Sequence, residues 1–291
     1  MRLPFKTVTI VGVGLIGGSL GLATRRAFPG VTVTGFDRRR TALRRARRMG
    51  AIDRAAPDLP SAVSAADLVV LATPIRDILS CLSRLGRWLP PGAVVTDTGS
   101  TKAAVLEAAR ALPPSVSFIG GHPMTGKAVS GVAQSEPDLF QGAPYVLCPV
   151  VSAAGALPRL RRWVRALGAR PMVLDADEHD RLVAYVSHLP QLLSTALAGL
   201  IARPPQDVSP EAAVRLSAGG FRDMIRLASS PYDVWGDILA TNQPAVRRAL
   251  REYVRVLRDL EMALAGPDLK AAFARANRCY QLYTQIKGGR R

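Results

Sequence analysis

The sequence predicts an α/β fold with a parallel sheet, followed by an all-helical region. Short apolar runs alternate with helical stretches as far as about residue 175, and no clear strand pattern follows Asp175. Continuous apolar strands separated by helices are typical of a parallel sheet that is covered on both faces. We therefore predict one domain over residues 1–175 and a second, helical domain over residues 176–291.

Seven apolar or β-branched runs are the strand candidates of the first domain. They are residues 7–11, 31–36, 68–71, 93–96, 116–119, 145–148 and 171–174, with helical stretches such as 39–49, 75–89 and 102–111 between them. In the second domain, apolar residues recur at helical spacing from Val246 to Leu264. Residues 182–202 are apolar on nearly every face, which indicates a helix surrounded by other helices of this chain or of a second subunit.

The composition argues against several classes of protein. The net charge is +17, but aromatic residues make up only 5% of the chain and no zinc-finger, RRM or basic-zipper pattern is present, so we expect no nucleic-acid binding. We interpret the charge as an Arg-rich surface that attracts anionic substrates. The three cysteines and three histidines show no metal-ligand spacing, and reduced cysteines fit a cytoplasmic protein. Polar residues interrupt the segment 182–202, so we predict no membrane span.

A glycine motif follows the first strand candidate and opens a helical stretch. In Gly12-x-Gly14-x-x-Gly17, the first glycine allows a tight turn, the second lets the backbone approach a pyrophosphate, and the third lets the helix pack on the strand. We expect the pyrophosphate at the helix N-terminus, where free N–H groups favour anions. Asp37 lies 20 residues after Gly17, at the position of a ribose-binding carboxylate. The pattern predicts a Rossmann-type dinucleotide site.

The residues around Asp37 bear on which dinucleotide binds. Its carboxylate accepts hydrogen bonds from both ribose hydroxyls of NAD and repels the additional phosphate of NADP. Arg38 and the two arginines that follow it could reverse that preference, so NADP is the alternative to the expected NAD. The remaining predicted cofactor contacts are Leu15, Ile16, Thr73 and Pro74.

Two polar side chains follow predicted strands and are the candidate catalytic residues. His122 lies in GGHPMTG, where two glycines and a proline are expected to display it at the mouth of a pocket. An imidazole with its ordinary pKa of about 6.5 can accept a proton from a substrate hydroxyl at neutral pH. Ser100 lies in DTGSTK at the end of a strand, where we expect it to orient His122 and contact the nicotinamide amide. The structural alternatives are a helix N-cap for Ser100 and a loop histidine that caps backbone for His122.

Five segments together resemble the prephenate/arogenate (cyclohexadienyl) dehydrogenase family of tyrosine biosynthesis. They are GVGLIGGSL, DTGSTK, GGHPMTGKAVSG, SHLPQ and GGFRDMIRLASSPYDVW, and the resemblance covers residues 7 to about 285. It implies a dinucleotide-binding domain followed by an all-helical domain that forms a homodimer and contributes to the substrate site. It also implies oxidative decarboxylation of prephenate, in which a hydride leaves ring C4, CO2 leaves C1, and His122 accepts the proton of the C4 hydroxyl.

The resemblance also implies a set of substrate-binding residues. Arg226 would bind a substrate carboxylate through two parallel hydrogen bonds, and Asp223 would hold it on the same helix face. His188 would line the pocket, although the residue pattern alone favours a satisfied core histidine. Ser230 and Trp235 match positions that line the substrate end of the family's pocket. His179 matches a histidine of the family whose role is either structural or functional.

One departure from the family concerns the substrate. Many members carry an acidic residue about where Ala128 stands, whereas Lys127 and Ala128 here are expected to make the substrate rim more positive. A positive rim favours the dianionic prephenate over the zwitterionic arogenate, or it marks an enzyme of secondary metabolism that acts on an amino-substituted prephenate.

Two other kinds of protein are alternatives to this assignment. A β-hydroxyacid or imine reductase shares the two-part plan, but it uses a lysine or aspartate where this chain has His179 and His188. An NAD-binding protein without catalysis is opposed by the joint presence of Ser100, His122, His188 and Arg226.

Overall fold

One eight-stranded sheet organises the N-terminal part of the computed structural model, which describes residues 4–127, 129–150 and 155–288. The strands are β1 (Thr7–Val11), β2 (Thr32–Phe36), β3 (Arg54–Ala55), β4 (Leu68–Leu71), β5 (Val94–Asp97), β6 (Ser117–Pro123), β7 (Pro144–Pro149) and β8 (Arg170–Val173). They are ordered β3-β2-β1-β4-β5-β6-β7-β8. All neighbours are parallel except β6 and β7, which pair antiparallel.

Helices connect the strands and make up the whole of the C-terminal part. They are α1 (Leu15–Ala27), α2 (Arg40–Arg48), α3 (Leu59–Val63), α4 (Ile75–Leu85), α5 (Ala103–Ala109), α6 (Leu157–Ala166), α7 (Ala176–Val183), α8 (Leu189–Ala202), α9 (Pro210–Leu216), α10 (Gly219–Ile225), α11 (Tyr232–Thr241), α12 (Gln243–Ala263) and α13 (Asp268–Gly288). A π-helical turn, Ala184–His188, joins α7 to α8, and a 3-10 turn, Arg226–Ser229, follows α10.

The predicted fold class is confirmed: an α/β sheet domain precedes an all-helical region. Each of the seven strand candidates is a strand, and no strand follows Asp175 among the residues described up to 288. β3 is an additional strand of two residues, too short to give a pattern in the sequence. The expectation of an all-parallel sheet is wrong at β7, whose antiparallel pairing also extends β6 through Pro123.

The predicted helix over 182–202 is interrupted rather than continuous. Pro190 has no N–H to donate to the carbonyl four residues earlier, and the backbone makes a π-helical turn directly before α8. The expectation that this segment is enclosed on every face does not hold within one chain, since Tyr185 and Val186 are exposed.

Two compact units divide the chain, the first ending at Gln243 and the second beginning at Pro244. The second unit contains nearly all of α12 and all of α13, and large apolar side chains such as Leu257, Phe273 and Tyr280 are exposed on it. The domain boundary predicted after residue 175 lies inside the first unit, at the change from strands to helices, and it stays a prediction. No helix in the described ranges combines the length and apolarity needed to cross a membrane.

The first turn after β1 depends on close contact between the glycines of the motif. Gly12 has a φ of +93°, a left-handed conformation that glycine adopts without strain. A Cβ placed on Gly17 would lie 2.0 Å from the Gly12 carbonyl oxygen, so α1 can approach this turn only with a glycine there. A Cβ placed on Gly14 would meet no atom within 4 Å.

Gly17→Ala is therefore expected to destabilise the protein, whereas Gly14→Ala is not. The methyl group at Gly17 would force α1 away from the turn, which we expect to cost about 1–3 kcal/mol, equivalent to a Tm lower by several degrees. Gly14→Ala should remain within about 0.5 kcal/mol of the parent protein. Thermal unfolding of the two variants without added nucleotide measures this difference. Equal melting temperatures would contradict the close-packing role of Gly17.

Candidate active site

A cleft of about 520 Å³ lies where β1, β4, β5 and β6 end. Ligands bind at this edge of parallel sheets because the loops after the strands converge there. Predicted site residues that line this cleft are Gly12, Gly14, Leu15, Ile16, Asp37, Thr73, Pro74, Ser100 and Lys127. A second cleft of about 410 Å³ shares four of them and adds Arg38. The two clefts bring together every predicted cofactor residue except Gly17, which packs against the turn.

The start of α1 has the properties of an anion site. The helix begins at Leu15 without a side-chain cap and without an acidic residue in its first turn. The first N–H groups and the positive end of the helix dipole are thus available to a negatively charged ligand. The open space above Gly14 admits such a ligand close to the backbone.

Carboxylates lie next to two of the three arginines that line the second cleft, Arg38 and Arg39, and the third arginine is Arg84. Asp37 accepts hydrogen bonds from the backbone N–H groups of Val13 (3.1 Å) and Arg39 (2.8 Å), and its side chain is 10% exposed. Arg38 pairs with Asp77 at 2.6 Å, and the Arg39 Nε lies 3.5 Å from Asp37 Oδ1. The positive charges of Arg38 and Arg39 are thus opposed by the carboxylates of Asp77 and Asp37.

His122 lies within β6, opposite Val146 of β7, and is 8% exposed. The structural alternative of a loop histidine is wrong, because β7 continues the pairing of β6 through Pro123. His122 lines neither of the two clefts described above, and its display at the mouth of a pocket stays a prediction. Its Nδ1 lies 2.8 Å from Nε2 of His179, and the two rings meet edge to face with centroids 5.1 Å apart. Nε2 of His122 has no hydrogen-bond partner among the described residues.

A carboxylate continues this contact beyond His179. Nδ1 of His179 lies 2.8 Å from Oδ1 of Asp180, on the same helix α7. The Asp180 carboxylate also accepts hydrogen bonds from the N–H groups of Lys102 (2.7 Å) and Ala103 (2.9 Å). Asp180 thereby satisfies the first turn of α5 and links it to the histidine pair.

Burial and neighbouring positive charge lower the pKa of His122 well below its ordinary value of 6.5. Desolvation is the largest cause, and electrostatic interactions with His179, Lys102 and His188 act in the same direction. Burial likewise lowers the pKa of His188 to about 4, against an opposing effect of Asp180. Both imidazoles are therefore neutral at physiological pH, the form in which a histidine can accept a proton.

A buried ion pair fixes the backbone next to His122. Lys102 and Asp97 form this pair in the interior, and the Lys102 ammonium also donates to the Gly121 carbonyl (2.8 Å). Asp97 accepts from the N–H groups of Gly121 (3.0 Å) and Gly99 (2.7 Å). Neither partner of this ion pair is predicted from the sequence. The feature that could have indicated it is the DTGSTK turn, in which a lysine follows an aspartate by five residues.

The structure places Ser100 in the cleft but not against His122. His179 makes the contact to the imidazole that the sequence assigned to Ser100, so that part of the prediction is wrong for this geometry. The alternative role of Ser100 as a helix N-cap is also wrong. The helix α5 begins at Ala103, and the Asp180 carboxylate accepts the hydrogen bond of the Ala103 N–H group. The predicted contact between Ser100 and the nicotinamide stays a prediction.

The helical region brings two more predicted residues to the same place. His188 is buried, and its ring meets the Trp235 ring edge to face with centroids 5.9 Å apart. Asn242 lies 3.3 Å from Nδ1 of His188 and donates to the Asp180 carbonyl at 2.7 Å. Trp235 belongs to α11, and four of its neighbours line the cleft: Asp233, Val234, Asp237 and Ile238. The helix α11 therefore contacts His188 and also lines the cleft.

Arg226 is exposed on the 3-10 turn after α10. Gln191 donates to the Leu227 carbonyl at 2.9 Å, which ties this turn to α8. The prediction that Asp223 holds Arg226 on a helix face is wrong, because α10 ends at Ile225 and the carboxylate of Asp223 lies 4.0 Å from Arg222 instead. Ser230 is half-buried directly after the turn.

Lys127 does not make the rim of the cleft positive in the predicted way. Its ammonium pairs with Glu136 at 2.6 Å and lies 3.4 Å from the Gln134 carbonyl oxygen. The charge is therefore largely matched within the protein, and the argument from Lys127 for a dianionic substrate loses its basis. Ala128, the other residue of that argument, lies outside the described residues.

The chain matches known proteins along most of its length. Residues 20–173 match the nucleotide-binding domain of prephenate dehydrogenase, and residues 175–275 match the prephenate dehydrogenase dimerization domain. The chain is 32% identical to the cyclohexadienyl dehydrogenase of Zymomonas mobilis over 91% of this chain and 90% of that protein.

Solved structures agree with these sequence matches. Arogenate dehydrogenase from Synechocystis has a TM-score of 0.84 and 32% identity, covering 95% of this chain and 99% of that one. Prephenate dehydrogenase from A. aeolicus, in complex with hydroxyphenyl propionate and NAD+, has a TM-score of 0.83 and 28% identity, covering 99% and 98%. Fold and site together define a nucleotide-binding oxidoreductase. The chain belongs to the prephenate dehydrogenase family.

The lowered pKa of His122 predicts where activity is lost as the pH falls. A general base works only when deprotonated, so the rate declines as the pH falls through its pKa. Because burial and the neighbouring groups His179, Lys102 and His188 lower this pKa, we expect kcat to stay level from about pH 8 to about pH 6.5 and to decline below that range. Initial rates of nucleotide reduction across this range measure the profile. An acidic limb centred at or above the ordinary histidine value would contradict the assignment.

Proposed function

We propose that this protein catalyses the NAD-dependent oxidative decarboxylation of prephenate to 4-hydroxyphenylpyruvate in tyrosine biosynthesis. The observation that carries the proposal is the neutral His122 imidazole on β6, whose Nε2 is unpartnered among the described residues and whose strand leads into the nucleotide cleft. Family membership supports the class of reaction, a dehydrogenation, and the site geometry supports the base that this reaction needs.

In this proposal His122 performs the proton transfer. Its Nε2 accepts the proton of the C4 hydroxyl as a hydride leaves C4. The electron pair of the bond between C1 and the departing CO2 then completes the aromatic ring, and His122 returns the proton to the C4 oxygen, which gives the phenol of 4-hydroxyphenylpyruvate. NAD, when bound, supplies the hydride acceptor. The buried pair Lys102–Asp97 keeps β6 in place during this step through its hydrogen bonds to the peptide groups on either side of Gly121. Burial of His122 keeps water away from the proton being transferred.

The dinucleotide in this proposal is NAD. The open backbone at Gly14 and the uncapped start of α1 fit a pyrophosphate. Asp37 fits a ribose with free hydroxyls, and the pairing of Arg38 with Asp77 leaves less positive charge for the additional phosphate of NADP.

Arg226 would anchor a carboxylate of the substrate. Its guanidinium forms no ion pair among the described residues, which leaves its donors available for a bidentate contact. His188 and Trp235 would line the ring of the substrate, and Ser230 follows the turn that carries Arg226.

We also propose that the protein works as a homodimer. Exposed apolar side chains on α12 and α13 form the kind of surface that association buries, and those of α12 lie within the match to the dimerization domain. In this proposal, Tyr185 and Val186, which are exposed in one chain, are also buried when the dimer forms.

Arogenate and 4-amino-4-deoxyprephenate are the alternative substrates. The ion pair of Lys127 with Glu136 removes the charge argument that separated prephenate from arogenate, and relatives of both kinds, prephenate and arogenate dehydrogenases, are similar to this chain.

Purified protein with NAD and prephenate is expected to form NADH and release CO2. Formation of NADH is followed by its ultraviolet absorbance, with NADP, arogenate and the amino-substituted prephenate in parallel reactions. The variant His122→Asn tests the base, because it keeps a polar side chain of similar length but removes the imidazole. We expect kcat to fall by about 10²–10⁴-fold while nucleotide binding persists. Turnover of arogenate alone would overturn the substrate proposal. A wild-type kcat in the His122→Asn variant would remove His122 from the mechanism.

Arg226→Lys should raise KM about 10- to 100-fold with a smaller change in kcat. Lysine keeps the positive charge but cannot make two parallel hydrogen bonds to one carboxylate, and a hydrogen bond to a charged group contributes about 1.5–3 kcal/mol. Arg222→Lys is the matched control, because Arg222 is exposed on the neighbouring helix α10 and makes only a 4.0 Å contact with Asp223. Steady-state kinetics with the preferred substrate measure both variants. The same KM in both would show that Arg226 does not hold the carboxylate.

A further inference from the structure

We propose that Asp180 is the centre of a hydrogen-bond network that fixes the tautomers of two histidines. The proton of His122 is held on Nδ1, and the proton of His188 is held on Nε2. Asp180, His179 and Asn242 would then be positioning residues that act through the two pocket histidines. The functional consequence rests on the proposed role of His122 as the base, whereas the tautomers themselves can be observed without turnover.

The first branch runs from the Asp180 side chain. A carboxylate can only accept hydrogen bonds, so the Nδ1 of His179, 2.8 Å away, must carry a proton. In the proposed network this imidazole holds a single N–H group, and Nε2 of His179 is therefore an acceptor. His122 Nδ1 lies 2.8 Å from that acceptor and must donate to it. The lone pair of His122 is consequently confined to Nε2, the nitrogen without a partner in the described part of the chain.

The second branch runs from the Asp180 backbone. A carbonyl oxygen only accepts, so the side-chain atom of Asn242 that lies 2.7 Å from it must be the amide nitrogen. This orientation directs the second N–H of the same amide to Nδ1 of His188, at 3.3 Å. His188 accepts there, and its own proton must be on Nε2.

The network is rigid because its members are buried and bound from several sides. His179, Asp180 and Asn242 are each less than 5% exposed. The N–H groups of Lys102 and Ala103 hold the Asp180 carboxylate against the start of α5. Both imidazoles are neutral because burial lowers their pKa values, so each has a single proton whose position the network decides.

Opposite tautomers give the pocket two different functions. His122 offers a lone pair at Nε2, which suits the proton of a hydroxyl group. His188 offers an N–H at Nε2, which suits an oxygen that accepts a hydrogen bond, such as a carboxylate or a carbonyl of the substrate. The same Asp180 also lies two hydrogen bonds from His122, where its negative charge opposes the positive charge that His122 acquires with the proton.

Long-range proton–nitrogen NMR spectra of the untagged protein, labelled with 15N-histidine, test the tautomers directly. The chain contains only three histidines, so each ring can be assigned by single substitutions. We expect Nδ1–H in His122 and His179 and Nε2–H in His188. Nε2–H in His122, or Nδ1–H in His188, would overturn the proposal, whichever substrate the enzyme prefers.

Two substitutions of His179 separate positioning from packing. His179→Leu removes the acceptor for His122, and we expect a mixture of His122 tautomers, kcat lower by about 10²-fold, and little change in KM. His179→Gln keeps an acceptor oxygen near the position of Nε2 and should recover much of kcat and the single tautomer. Unchanged kcat and a single Nδ1–H tautomer in the leucine variant would overturn the first branch.

Asn242→Leu tests the second branch and serves if the His179 variants do not fold. Leucine has nearly the same shape as asparagine but donates no hydrogen bond, so His188 should populate both tautomers while His122 retains Nδ1–H. Loss of the His122 tautomer as well would show that the branches are not separate. Correct tautomers together with no turnover of any cyclohexadienyl substrate would leave this network intact and refute the proposed function instead.

Discussion

The buried ion pair between Lys102 and Asp97 is the constraint on which the site depends. Two charges removed from water are costly unless their remaining hydrogen-bonding capacity is satisfied. Here the satisfying groups are the peptide groups of Gly99 and Gly121, and the backbone N–H of Lys102 in turn binds Asp180. The end of β5, the start of α5, the middle of β6 and the helix α7 are thus held by one set of contacts. His122 and His179 lie on two of these elements, so their 2.8 Å contact follows from that set.

The glycines before His122 belong to the same constraint. A Cβ on Gly121 would lie 2.4 Å from the Asp97 carbonyl oxygen, and one on Gly120 would lie 2.6 Å from the Leu106 side chain. The pair Gly120–Gly121 therefore allows β6 to approach β5 and α5 closely. The sequence predicts that the same two glycines, together with Pro123, display His122 at the mouth of a pocket. In the structure these glycines allow close packing, and His122 is held inside a strand.

Local signals in the sequence were sufficient for the sheet and for the nucleotide turn. Each strand candidate is an apolar run that stands out within a few residues, and Gly12, Gly14 and Asp37 follow a spacing set by the ligand. The direction of β7 and the contact of His122 with His179 could not be predicted in this way. The two histidines are 57 residues apart, and their meeting depends on a buried ion pair whose members look like ordinary turn and helix residues in the sequence.

In the proposed mechanism His122 is a base with a lowered pKa and so has a weak affinity for the proton it must take. The inferred network resolves this conflict. Burial of the site, with Lys102 acting in the same direction, keeps His122 neutral before the reaction, which preserves the lone pair. In the inferred network, proton uptake at Nε2 leaves Nδ1–H bound to His179, which is bound to the Asp180 carboxylate. The positive charge of the imidazolium therefore develops next to a preorganised chain of groups that ends in a negative charge. The ammonium of Lys102 disfavours the imidazolium form of His122 before the reaction, and the carboxylate of Asp180 favours that form during proton transfer. The backbone N–H of Lys102 holds Asp180 in place.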